Sequence, residues 1–201
     1  MKKIIIFILP VLVLLTACNI VQTYQNITRL KFKLGNVDNV TVANINVSGK
    51  NKLADFNPMD ILKLTSTLTQ GEFPISFVIN VEAKNPSEGT GGGVSDNSIT
   101  LKSFPFKLFI DDVETISGNI NEPVYVPSKG ENKIIPITVG LDLKKFFKDK
   151  GLDKMVNLVL ALGGKNKDAS KIKLVVRPTI GTPIGDFKYP NEITVVSYQF
   201  N

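Results

Sequence analysis

The chain has no histidine and no tryptophan, and its 201 residues include a single cysteine, Cys18. Without histidine, and with its one thiol at Cys18, the usual Ser–His and Cys–His nucleophile–base pairs are missing. No Cys/His set exists to hold zinc or iron, and no cofactor is expected. No disulfide can form within the chain, so the fold must stand on its core alone. No run of five or six like charges occurs, and the formal charge of +6 is spread out, which argues against nucleic acid as a partner. No apolar run reaches the roughly 20 residues of a membrane-spanning helix. Ser/Lys pairs or paired carboxylates remain as catalytic options. Nothing in their spacing marks one, and the chain is read as non-enzymatic.

What is present begins with Lys2 and Lys3, then an apolar stretch from Ile4 to Leu15 interrupted by Pro10. A charged start, a short apolar run and a small residue before a cleavage point make the layout of a secretory signal. The sequence Leu15-Thr16-Ala17-Cys18 resembles the bacterial lipobox. That resemblance implies cleavage between Ala17 and Cys18, a diacylglycerol on the Cys18 sulfur and a fatty acid such as palmitate on the new amine. The alternative is a buried cysteine late in an ordinary signal peptide. Each buried methylene contributes about 0.8 kcal/mol, so one acyl chain holds weakly and several anchor stably. The membrane is then the partner, reached through acyl chains on Cys18. Asn19 is not acidic, which by the sorting habit of such lipoproteins favours the outer membrane facing the periplasm. Residues 1–17 are read as the signal peptide, 18–25 as a lipidated tether and 26–201 as one domain. The 184 residues left after cleavage carry a formal charge of +4 and suffice for one core.

Most of the remaining chain is strand-like. Arg29, Lys31 and Lys33 alternate with Leu30, Phe32 and Leu34, and Val40, Val42, Ile45 and Val47 suggest a second strand after a turn near Gly35-Asn36. Phe73, Ile75, Phe77, Ile79, Val81 and Ala83 form one apolar face of the clearest strand, which ends at Asn85-Pro86. Ile99–Ser103 and Phe104–Ile110 continue the sheet, and Asp111-Asp112 reads as a turn into the segment Val113–Ile120. Val124–Pro127, Ile134–Leu141, Ile172–Thr179, Ile184–Tyr189 and Ile193–Phe200 are further strand segments. The clearest helix has Asn57 as N-cap, Pro58 at its first position and Gly71 at its end. Its stripe of Ile61, Leu62, Thr65 and Leu68 is read as core-facing. A second helical pattern covers 143–162, broken at Gly151. The fold expected is mainly β, an antiparallel sandwich with one short helix before the main strand and one or two helices near 143–162.

Two local patterns invite chemistry. Gly89, Gly91, Gly92 and Gly93 suggest a phosphate loop, but the Lys-Ser/Thr of a P-loop is missing and a hairpin connection is the better reading. Asp111, Asp112 and Glu114 suggest calcium ligands, but they lack EF-hand spacing and read as a solvated turn. No metal is expected.

A strand ending in Val47-Ser48-Gly49 is followed by the helix and then by Phe77-Val78-Ile79-Asn80-Val81-Glu82-Ala83-Lys84-Asn85-Pro86-Ser87. A hydrophobic hairpin, Tyr125-Val126-Pro127 and Ile135-Pro136-Ile137-Thr138-Val139 follow. This order resembles the group-two late embryogenesis abundant proteins, also called the water-stress and hypersensitive-response domain (LEA type 2), over about residues 37–141. Asn85, Pro86 and Ser87 stand where those proteins typically carry Asn-Pro-Asn. The Gly-rich loop and the long 143–162 stretch depart from the pattern. The resemblance implies a fibronectin-like sandwich without catalytic residues and a role in stress or desiccation tolerance. The function expected is therefore a membrane-anchored envelope lipoprotein that protects or binds other surfaces. Two alternatives stand beside it. One is a carrier of lipid or a small apolar ligand, with the 152–162 helix as lid. The other is an assembly or adhesion subunit that pairs through a sheet edge near Ile193–Phe200. The protein partner itself is not named by the sequence.

Overall fold

The structure is a computed structural model, and it describes residues 30–86, 98–128, 130–163, 172–182 and 185–195. The architecture is mainly β, with all strand pairs antiparallel. The first layer has the order β2-β1-β3-β8, where β1 is Lys31–Val42, β2 Ile45–Asn46, β3 Pro74–Lys84 and β8 Asn132–Asp142. The clean alternation in β3 places Phe73, Ile75, Phe77, Ile79, Val81 and Ala83 in the core, as its period of two dictates. Its partner β8 matches it residue for residue, from Pro74 against Asp142 to Lys84 against Asn132.

The second layer is built of two four-stranded sheets that meet at a transverse crease. One half has the order β11-β10-β4-β7, with β4 Ile99–Ser103, β7 Val124–Val126, β10 Thr179–Thr182 and β11 Gly185–Lys188. The other has the order β12-β9-β5-β6, with β5 Phe106–Ile110, β6 Val113–Gly118, β9 Ile172–Val176 and β12 Ile193–Val195. Every strand of one half leads through a short break into its counterpart in the other. Each break holds a proline: Pro105, Pro123, Pro178 and Pro190. Proline has no N–H for the ladder, so the row of prolines breaks the regular ladder here and leaves single backbone bonds such as that from Arg177 N–H to Pro105 O. Side-chain alternation survives the break. Ile172, Leu174, Val176, Pro178 and Ile180 are all buried, with residues between them facing out. Phe104 reaches across to the first layer, with its ring centroid 5.0 Å from that of Phe32. The buried side chains of both layers form one contiguous cluster.

Helix α1 spans Pro58–Thr69. Asn57 caps it, its Oδ1 accepting the Asp60 N–H at 2.7 Å. Gly71, at φ 86°, closes it with bonds from Gly71 N–H to Leu68 O and from Glu72 N–H to Thr67 O, a Schellman arrangement that requires the left-handed residue. The expected stripe needs correction. Leu64 is the residue fully buried, Ile61 and Leu68 pack partly, and Leu62 is 62 % exposed. The face is shifted because Leu64, at i+3 from Ile61 and four before Leu68, points along the axis of contact that Leu62 misses.

Helix α2 spans Leu152–Gly163, preceded by a 3-10 turn at Leu143–Lys145. It buries Met155, Val156, Leu158, Val159, Leu160 and Leu162. Its end lies flush on β1: a Cβ on Gly163 would stand 2.4 Å from Val40 Cβ.

Two further expectations are corrected. Gly35-Asn36 is not a turn. It lies within β1, where the register against β3 shifts between Leu34 and Val37, so the segment is a bulge. The chain reverses instead at Ala43-Asn44, a two-residue turn with φ of 47° and 62°. The segment read as Phe104–Ile110 begins at Phe106 instead, because Phe104-Pro105 forms the break between β4 and β5.

Candidate functional site

Cys18, with Ala17 and the cleavage point, lies outside the described residues, as do Ser87 and the Gly-rich loop. Asn85 and Pro86 follow β3 at the end of the first layer where β1 begins, since Lys31 pairs with Lys84. Asn85 is fully buried, and its carbonyl accepts the Gly130 N–H at 2.8 Å. The motif thus ties the end of β3 to the turn that enters β8.

Asp111 and Asp112 form the two-residue turn between β5 and β6, with φ of 50° and 63°. Asp111 receives Lys150 Nζ at 2.8 Å, and Asp112 lies 3.7 Å from Lys173 Nζ. Lysines therefore face both carboxylates. Among the described residues no group of three or more Cys, His, Asp or Glu side chains is placed to hold a metal.

Sequence reasoning missed a further candidate site among the described residues, a cleft of about 340 Å³ on the outer face of the creased layer. Pro105, Lys107, Ser117, Val175, Arg177 and Glu192 line it. Ser117, Lys107 and Val175 form a row across β6, β5 and β9 in direct register. The crease supplies the concavity. Arg177 N–H donates to Pro105 O at 3.0 Å, and Tyr189 N–H to Pro178 O at 2.9 Å. Asn119 Oδ1 accepts the Phe104 N–H at 2.6 Å and so closes the break between β6 and β7. Arg177 is the keystone. Its Nε donates to Tyr189 O at 2.9 Å and its Nη2 to Pro190 O at 2.8 Å. Tyr189 is buried beneath this contact, and burial pushes its phenol above its ordinary value, so it stays neutral.

The same face carries ordered charge. Lys107 reaches over β9 to Glu192, 3.2 Å away. Lys102 does the same over β10 to Asp186, 2.7 Å away. Its stem runs so close to Gly181 that a Cβ there would lie 2.9 Å from Lys102 Cε. Lys173 sits 4.6 Å over the ring of Phe109. The signal that marks this site in the sequence is the recurrence of one proline in each of four strand segments, with Arg177 beside one of them.

No protein-family model and no curated protein matches the chain. A solved structure described as a crystal structure of a protein from Archaeoglobus fulgidus is similar to it over 83 % of this chain and 99 % of that one, at 12 % identity and a TM-score of 0.33. A likeness of that size carries no argument about function.

Proposed function

We propose that this protein is a membrane-anchored, non-enzymatic lipoprotein of the bacterial envelope. Its sandwich is a LEA type 2-like module that binds or shields other surfaces under stress, and acyl chains on Cys18 hold it at the membrane. The observation that carries the binding role is the outer face of the creased layer. There, lysines of the inner strands are set against acids near its edge, and a cleft opens between them. Such a face offers fixed, alternating charge to a partner, and electrostatic complementarity of this kind favours orientation and fast encounter. In the cleft Arg177 is held in place by two carbonyls and Lys107 by Glu192. That suits recognition better than proton transfer.

Two experiments test the reading. Substitution Cys18→Ser is expected to abolish acylation and leave the leader uncleaved, read by gel mobility and metabolic labelling with a fatty acid. Labelling of that variant equal to the parent's would contradict the anchor. Drying an indicator enzyme with and without the protein tests the protective role. A higher recovered activity than with an unrelated β-sandwich is expected, and equal recovery would remove that role.

A further inference from the structure

Anchoring at Cys18 makes no use of Arg177. A guanidinium carries five N–H donors. Two of the Arg177 donors are spent on Tyr189 O and Pro190 O. No acidic side chain pairs with it among the described residues. Its charge is therefore held in one orientation by neutral carbonyls, at the wall of an open cleft. Lys107 adds a second cation and Glu192 one anion, so these three side chains leave a net formal charge of one positive unit.

We infer that the cleft is a binding site for a small carboxylate with an apolar substituent. The N–H groups left over on the guanidinium match two coplanar oxygens, which is the geometry of bidentate carboxylate recognition. Val175 and Pro105 supply apolar surface beside it, and Ser117 a further hydroxyl donor. The volume suits a ligand of modest size. The two carbonyl bonds order the arginine before any ligand arrives, so binding does not bear that entropic cost. A single net positive charge, with Glu192 beside it, favours a monoanion over a dianion such as phosphate. The site does not depend on the fate of Cys18.

The chain contains only two arginines, Arg29 and Arg177, so the full chain labelled with nitrogen-15 at arginine gives two Nε signals. The test is titration of this protein, in detergent, with benzoate, benzamide and inorganic phosphate. Benzoate is expected to shift the Arg177 Nε–H signal saturably, benzamide to leave it unmoved, and phosphate to bind more weakly than benzoate. Arg177→Lys is expected to weaken benzoate at least tenfold, followed at the backbone amides of Gly118 and Val175. That variant also loses the carbonyl bonds, so Glu192→Gln provides the second arm. It leaves those bonds in place and is expected to tighten benzoate by roughly threefold to tenfold through loss of a nearby negative charge. An unmoved Arg177 signal, equal shifts from benzoate and benzamide, phosphate binding as tight as benzoate, or a Glu192→Gln variant with unchanged or weaker binding would each overturn the assignment.

Discussion

Asp112 occupies the second position of the β5–β6 turn at φ 63°, where an L-residue is strained and glycine is not. Its contact with Lys173 is 3.7 Å and largely exposed, so little is lost by removing it. Asp112→Gly is expected to raise stability by about 0.5–1 kcal/mol, measured as a shift in the urea midpoint. Asp55 makes the opposite case. The Asn51 N–H donated to its carboxylate, with that of Lys52, holds it below its ordinary value of 3.8. A depressed folded value means that the contribution is present above pH 3.8 and is lost as pH falls through the folded value. Asp55→Asn is therefore expected to differ from the parent at neutral pH, with the difference shrinking only below pH 3.8. A difference constant down to pH 2 would contradict this.

At the scale of the elements, the parts legible in the sequence are those governed by one period or one cap. The buried face of β3, the cap at Asn57, the Gly71 stop and the Asp111-Asp112 turn follow from local chemistry and stand in the structure as that chemistry dictates. The parts that were not legible depend on partners distant in sequence. Gly35-Asn36 has turn chemistry, yet pairing with β3 on both sides turns it into a bulge. Leu62 has core chemistry, yet the helix is rolled so that Leu64 is buried in its place. The cleft could not be placed from the sequence because Arg177, Lys107 and Glu192 meet through the pairing of β5, β9 and β12, which are distant in the chain. Two substitutions check this level. Gly163→Ala drives a methyl into Val40 and is expected to cost about 1–3 kcal/mol, read by thermal unfolding. Asn57→Ala is expected to cost about 1 kcal/mol through loss of the cap.

For the whole molecule, two layers share one core, and Phe104 packs from the crease against Phe32 of the first layer. Phe104→Ala is expected to cost about 3–5 kcal/mol, because a fully buried ring is lost and the rigid crease cannot collapse to fill its place. Intact mass spectrometry of the mature chain, extracted gently from its native membrane, tests the proposed anchor at Cys18 most directly. A chain that begins at Cys18 and carries the mass of two or three acyl groups is the expected result. An unmodified chain that still begins at Met1 would contradict it.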